Sequence, residues 1–395
     1  MGAGIAYACL SLGLPVVLLE TDADAIARAE HNVGKLIADG VKRGRLDDSG
    51  AEALRARLTL TDDYGTAAGA TLVIEAAFES MDVKKEIFAK LDAAVGADAV
   101  LATNTSYLDV DEIAASTKDP SRVLGLHFFA PAHIMRLLEI VEGVETSDRA
   151  LATGYALAKL LKKVPVLAGV CDGFIGNRIF SRYKEEADIL LMDGAVPWEV
   201  DEVMETFGYA MGPFEVGDLS GLDIGFANRR RQDATRDPNR RYIPIADRMV
   251  NEGRLGRKAS VGWYRYPGGG GKVIDPLLED LIAEEARFAG VERQDIPDTV
   301  VQERLVLAMI NEAADILGEG IARSAADIDL VTVFGYGFPR WRGGLMHYAD
   351  TLGVDAVVQK IKALAEVDPV IWKLSPVLED CVATGTKLAD WRKSD

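Results

Sequence analysis

The sequence predicts an α/β domain built on a doubly wound parallel sheet, followed by two smaller all-helical domains. Three observations carry that prediction. In the first half, short β-branched runs alternate with helical stretches, the order that covers both faces of a parallel sheet with crossover helices. Beyond residue 173 strand candidates become scarce and long helical patterns take over. The final stretch then repeats the first helical one in register.

Val16 to Glu20, Leu72 to Glu75, Val100 to Thr103 and Val123 to Phe128 read as buried strands, and Asp24 to Lys42 and Met81 to Ala94 carry helical spacing between them. Asn177 to Met192 and Val200 to Phe207 read as helices of the second region. The glycine run after Tyr266 and the Asp295-Ile-Pro-Asp298 break mark a linker. The expected division is therefore 1–170, 171–266, a linker over 267–300, and 301–395. Arg178 and Arg304, Glu186-Ala187 and Glu312-Ala313, and Asp201 and Asp327 each stand 126 positions apart, with Phe207-Gly-Tyr209 and Phe334-Gly-Tyr336 at 127. A duplicated helical domain, whose copies pack together and cover each other's apolar face, accounts for this.

The whole chain bounds the function. Its 395 residues, 49% hydrophobic and 27% charged, suit a folded globular protein of two or three domains. A net charge of −18 speaks against a nucleic-acid or anionic-membrane partner. Three scattered cysteines argue against a disulfide framework and for a reducing compartment, the cytoplasm by default. No apolar run reaches the roughly 20 residues of a membrane span, and the first residues lack the pattern of a signal peptide. No His, Cys or carboxylate cluster has the spacing of a metal site.

Met1-Gly-Ala-Gly opens a helix, and Pro15-Val-Val-Leu-Leu-Glu20 follows as a strand ending in a carboxylate. This is the second half of a Rossmann fingerprint, in which an acidic residue about 20 positions on binds the ribose hydroxyls. Gly2 fits its third glycine, while a first strand and two glycines are absent, so a first-strand-deficient, N-terminally truncated sheet is expected. An ordinary tight helix contact is the alternative for the glycine pair; Glu20 favours a nucleotide, and NAD over NADP, because it would repel a 2′-phosphate. Ala76 and Ala77 end a strand with side chains small enough for a dinucleotide to approach the backbone. Thr103 to Ser106 end another, where their hydroxyl and amide groups face the cleft, with a helix N-cap by Thr105 or Ser106 as the competing reading.

His127, inside Gly125-Leu-His-Phe-Phe-Ala-Pro131, and Glu139, inside Leu138-Glu-Ile-Val141, are polar groups in apolar runs and need partners. If their strands bring them together, Glu139 orients the imidazole and leaves its other nitrogen as a general base. Otherwise they are a buried structural histidine and an unrelated strand-end glutamate. His133 is a nearby decoy, and His31 and His347 read as surface or packing residues.

Those segments, together with Asn104-Thr-Ser106, Asp172-Gly-Phe-Ile-Gly-Asn-Arg178 and Met211-Gly-Pro-Phe-Glu-Val-Gly-Asp218, occur in the order and spacing of the L-3-hydroxyacyl-CoA dehydrogenases, which the chain resembles over nearly its whole length. Asn311-Glu312, Gly335-Tyr-Gly-Phe-Pro339 and Arg342-Gly-Gly344 make it most similar to the dehydrogenase portion of the multifunctional β-oxidation α-subunit, where an enoyl-CoA hydratase domain comes first. The resemblance implies a Rossmann-type domain with two 6-phosphogluconate-dehydrogenase-like helical domains, and NAD-dependent oxidation of L-3-hydroxyacyl-CoA to 3-ketoacyl-CoA. It assigns His127 as base, Glu139 as its carboxylate, and Ser106 and Asn177 as substrate holders. Gly2, Glu20, Ala76, Ala77, Glu79, Lys84 and Asn104 fall to the cofactor cleft, while Lys42 is only loosely placed as a CoA contact. An acyl-CoA substrate, a homodimer and a thiolase partner are the implied associations. Asp172 and Gly176 depart from the family pattern but leave Asn177 in place. Two other readings stand beside this one: a non-catalytic fragment or assembly module without a complete cofactor site, and an enzyme acting on a hydroxy acid without CoA.

Overall fold

A computed structural model describes residues 1–393. The chain forms two compact units, one of residues 1–177 with 320–323, the other of 178–319 with the chain from Ser324 onward.

In the first unit the order is α1 (Gly2–Leu10), β1 (Val16–Leu19), α2 (Ala23–Lys42), α3 (Asp48–Ala56), β2 (Leu58–Thr61), β3 (Leu72–Glu75), α4 (Met81–Ala94), β4 (Val100–Thr103), α5 (Val110–Ala114), β5 (Val123–Phe128), β6 (Leu137–Glu142), α6 (Asp148–Leu160) and β7 (Val164–Gly169). α2 shows why these segments fold as they do. The Asp22 carboxylate accepts the Ala25 N–H at 2.8 Å, capping the helix, and Ala25, Ala29, Val33 and Ile37 recur every four residues on one buried face.

β3, β4, β5, β6 and β7 form a five-stranded sheet in that order. β3, β4 and β5 are parallel, and β6 turns back antiparallel on β5 before pairing in parallel with β7. Both faces are covered: Leu126, Leu138 and Ile140 pack with Ile5 and Leu157 on one side, and Leu101 and Val123 pack with Phe88 and Ile113 on the other. Ile321 accepts the Gly169 N–H at 2.8 Å and Arg323 pairs with Glu142 at 2.6 Å, which ties residues 320–323 to the ends of β6 and β7.

The doubly wound α/β expectation holds, with differences in detail. β2 and β7 were not read from the sequence: β2, Leu58-Thr-Leu-Thr61, has no buried residue and lacks the β-branched apolar run that marks the other strands, and Pro165 disguises β7. β1 and β3 are only partly buried, contrary to expectation. Among the described residues β1 pairs with β2 alone, in a separate two-stranded sheet, and β3 with β4 alone. Each therefore keeps an edge on which backbone groups lack a sheet neighbour.

α7 (Gly176–Asp193) leads into the second unit, which continues with α8 (Pro197–Phe207), α9 (Pro213–Ser220), α10 (Leu222–Gln232), α11 (Ile245–Asn251), α12 (Leu277–Phe288), α13 (Asp298–Glu319), α14 (Ala325–Gly335), α15 (Leu345–Leu352), α16 (Val354–Val367) and α17 (Pro376–Thr384). The stretch 267–300 is not a bare linker, because α12 buries Leu278, Ile282 and Ala286. The two copies exchange arginines: Arg178 of α7 reaches Glu312 and Glu319 of α13, and Arg304 of α13 reaches Glu186 and Asp193 of α7.

One repeat assignment shifts. Asp201 on α8 accepts the Phe214 and Glu215 N–H groups at the start of α9, each at 2.9 Å. In the second copy that task falls to Asp329, which accepts from Met346 and His347 at the start of α15. Asp327, the expected counterpart of Asp201, bonds instead to the cap residue Ser324. The connection into the helix that carries the aspartate runs over 194–196 in the first copy and 320–324 in the second, which moves the counterpart two positions on, so function rather than spacing identifies the pair.

Candidate functional site

The antiparallel pairing of β5 and β6 places His127 directly opposite Glu139. His127 Nδ1 lies 2.6 Å from Glu139 Oε2. A carboxylate can only accept, so Nδ1 donates to it, and Nε2, with no hydrogen-bond partner among the described residues, is the ring nitrogen left for a substrate. The other oxygen, Oε1, accepts the Gly176 N–H at 2.9 Å, at the first residue of α7. Glu139 is fully buried, and the rings of Phe129 and Phe174 flank the imidazole at 4.5 and 5.7 Å. The pair is thus held rigidly in an apolar setting, where the carboxylate can stabilise positive charge on the ring.

Ser106 and Asn177 come together beside it, Asn177 Nδ2 donating to the Ser106 carbonyl at 3.5 Å. The Ser106 hydroxyl has no partner among the described residues. Glu79 shapes this turn: its Oε1 accepts from Thr105 Oγ1 at 2.6 Å and from the Ser106 and Tyr107 amides at 2.8 and 3.1 Å. No helix starts here, so the N-cap reading of Thr105 or Ser106 falls; the next helix, α5, is capped by Asp109. Asn104 does not simply line a cleft. Its Oδ1 accepts the Phe128 N–H at 2.8 Å and ties the end of β4 to the strand that carries His127.

The cofactor residues divide into two groups. The N-terminus of α1 has no side-chain cap, which leaves first-turn amides for an anion. Glu20, at the end of β1, has a carboxylate without a hydrogen-bond partner among the described residues; partial burial pushes its pKa up, and Arg28 pulls it back. Ala76 faces Gly2, where an added Cβ would lie 3.9 Å away, ordinary contact. The close approach belongs instead to Gly4, whose Cβ would stand 3.3 Å from that of Ala132. Ala77 is exposed, with its N–H on Glu75. A helix N-terminus for a pyrophosphate, an available carboxylate for a ribose diol and small residues between them fit NAD.

Lys84 belongs to the other group. It is 1% exposed, and its ammonium spans both oxygens of Glu75 at 2.8 and 2.9 Å with Glu79 at 3.5 Å. Glu75 also accepts from Thr103 Oγ1 at 2.7 Å. This buried cluster ties β3, β4 and α4 together beneath the Ser106 turn. The sequence points Thr103 at the cleft, whereas its hydroxyl turns to Glu75 in the interior, and the sequence reading missed Glu75. The signal was available, since Glu75 is a carboxylate in an apolar run, the argument applied to Glu139 alone.

Three further observations bear on expectations. His133 stays outside the pair and packs edge-on against Tyr7. The described residues hold no group of three metal-ligating side chains. No described helix is long and apolar enough to cross a membrane.

Comparison with known proteins gives this geometry a family. The model described as 3-hydroxyacyl-CoA dehydrogenase, NAD binding domain, matches residues 1–171. Its C-terminal-domain companion matches 173–266 and again 300–388. The human peroxisomal bifunctional enzyme is 40% identical over 389 residues, covering 95% of this chain and 54% of that protein. A rice peroxisomal fatty acid β-oxidation multifunctional protein is 34% identical, with 96% and 53% covered. The chain thus spans about half the length of these curated relatives. Among solved structures, 3-hydroxybutyryl-CoA dehydrogenase from Escherichia coli superposes with a TM-score of 0.84 at 27% identity, covering 97% of this chain and 96% of that one. The dehydrogenase part of multifunctional enzyme 1 from C. elegans gives 0.68 at 29% identity, with 96% and 86% covered. With both of its domains matched and its second helical copy included, the chain belongs to the 3-hydroxyacyl-CoA dehydrogenase family, a family of NAD-binding oxidoreductases.

Proposed function

We propose that this chain oxidises the 3-hydroxyl of an L-3-hydroxyacyl-CoA to the 3-ketone, reversibly and with NAD, as a step of fatty-acid β-oxidation. The observation that carries the proposal is the His127–Glu139 pair at 2.6 Å with Nε2 unbonded. Nε2 takes the hydroxyl proton, and Glu139 balances the imidazolium that results. Ser106 and Asn177 hold the substrate oxygen beside Nε2. NAD, when bound, supplies the hydride acceptor for the hydrogen on C3. Gly2, Glu20, Ala76 and Ala77 form its bed, while Glu79, Lys84 and Asn104 act by holding the cleft in shape.

The test is NADH consumption with acetoacetyl-CoA. General-base help of this kind is commonly worth about 10²–10⁴-fold, so His127→Ala should lose rate on that scale. A variant that turns over like the wild type overturns the mechanism. Activity on free 3-hydroxybutyrate with none on its CoA ester would instead favour a hydroxy-acid enzyme. The competing view, a fragment without catalysis, predicts no NADH binding by calorimetry.

We also propose four domain segments at the boundaries given above, with α12 inside the connecting one. A homodimer and a thiolase subunit are proposed associations, to be tested by light scattering and co-purification. Three free cysteines suit a reducing compartment such as the cytoplasm, whereas the curated relatives carry peroxisomal names; cell fractionation distinguishes the two.

A further inference from the structure

The connection between β5 and β6, residues 129–136, joins the strand bearing His127 to the strand bearing Glu139. Its conformation therefore sets how those two side chains meet. Within it, the Ile134 and Met135 amides donate to the Pro131 carbonyl at 2.9 and 3.0 Å. The Ala132 and Met135 carbonyls are taken by a group from elsewhere: Lys163 Nζ donates to them at 2.7 and 2.5 Å.

Lys163 closes the turn between α6 and β7. The preceding Lys162 adopts a left-handed backbone, φ 53°, Lys163 N donates to Ala158 at 2.9 Å, and Val164 N donates to Arg136 at 2.7 Å. The ammonium lies 5.4 Å from the ring centroid of Phe128, the neighbour of His127. No carboxylate pairs with it among the described residues. An ammonium partly withdrawn from water without a carboxylate partner is costly, and an apolar side chain of similar volume would fill the same space without that cost. What the lysine contributes is its donors.

We infer that Lys163 is a positioning residue for the His127–Glu139 pair, clamping the 129–136 connection through two backbone carbonyls. The inference rests on the reaction proposed above. It also makes the site sensitive to alkali. Burial lowers the lysine pKa to about 8. The titratable groups facing it are the Cys9 thiol of α1, which burial pushes up to about 11, and His133 in the connection, which burial and the cations Arg45, Lys163 and Arg43 keep low. None is an acid able to hold the charge on Lys163. Above its pKa the amine donates more weakly, and the clamp slackens.

Lys163→Met and Lys163→Arg, assayed in the full chain in the oxidative direction with NAD and L-3-hydroxybutyryl-CoA, where the imidazole must start neutral and alkali does not itself disable it, test this. A misplacement of about 1 Å can cost on the order of 10²-fold, so Lys163→Met should lower kcat on the order of 10–10²-fold with little change in KM for NAD. Wild-type kcat should fall as pH rises through about 8, whereas Lys163→Arg, charged throughout, should not show that fall. Hydrogen exchange of residues 129–136, which needs no activity, should accelerate in Lys163→Met. Wild-type kcat, an unchanged pH profile or unchanged exchange in Lys163→Met overturns the inference, even if its melting temperature drops. His127→Ala separates the two claims: if it is inactive while Lys163→Met is normal, only the role of Lys163 fails.

Discussion

Arg178 Nε donates to Glu312 at 2.6 Å, and the same bond is made in reverse by Arg304 and Glu186 at 2.7 Å. Each arginine carries a second partner at the matching place, Glu319 for Arg178 and Asp193 for Arg304. This is the pattern of a two-fold interface, in which residue i meets j and j meets i, built inside one chain from two copies of a domain.

Arg178→Ala and Arg304→Ala should therefore destabilise the helical unit by similar amounts. Hydrogen bonds to charged groups are worth about 1.5–3 kcal/mol, and the partial exposure of both arginines moves the expectation to about 1–2 kcal/mol. Urea unfolding measures it. A loss confined to one variant would show that the symmetry is geometric but not energetic.

The Glu75–Lys84 cluster should behave differently, because both side chains are buried. Removing one partner of such a pair costs about 3–5 kcal/mol, since a charge is left uncompensated, whereas removing both is often far milder. Glu75→Gln and Lys84→Met should each be severely destabilised, with the double variant closer to wild type. A double variant whose loss equals the sum of the single losses would mean that the pair is not coupled.

Glu139→Gln tests the carboxylate apart from its shape. The amide oxygen can still accept the Gly176 N–H, but the charge opposing an imidazolium is gone. kcat should fall by at least about 10²-fold while the fold, read by circular dichroism, is retained. Rates within a few-fold of wild type would remove the electrostatic role of Glu139.

Asp201 and Asp329, the structural counterparts in the two copies, are both pushed up by burial, to about 7 and about 6, against the pull of the amides that they accept. An acid with a raised folded pKa binds more protons folded than unfolded, so its contribution weakens as pH rises from about 4 toward that pKa. Asp201→Asn removes this slope. Its destabilisation relative to wild type should be smaller at pH 8 than at pH 5 in urea titrations; a difference independent of pH would contradict the raised value.

Much of this was legible in the residues. β3, β4 and β5 and helix α4 lie where β-branched runs and apolar spacing put them, because a strand inside a covered sheet and an amphipathic helix both write their apolar pattern into the chain. The need of His127 and Glu139 for partners was equally visible, since a polar side chain in an apolar run is costly alone. The limits were just as physical. β2, with Thr at every second position and no buried residue, lacks a continuous apolar run, and Asp329 was hidden because the connection leading into its helix is two residues longer than in the first copy.

Local pattern, which depends on near neighbours along the chain, thus determined the α/β class, the helical duplication and the chemistry-bearing residues. Tertiary structure alone decided that β6 returns antiparallel and sets position 139 against 127, that Lys84 closes onto Glu75, and that Lys163 crosses to the Ala132 and Met135 carbonyls. Those contacts join residues distant in sequence, and their energies depend on strand register and burial, which are properties of the folded whole.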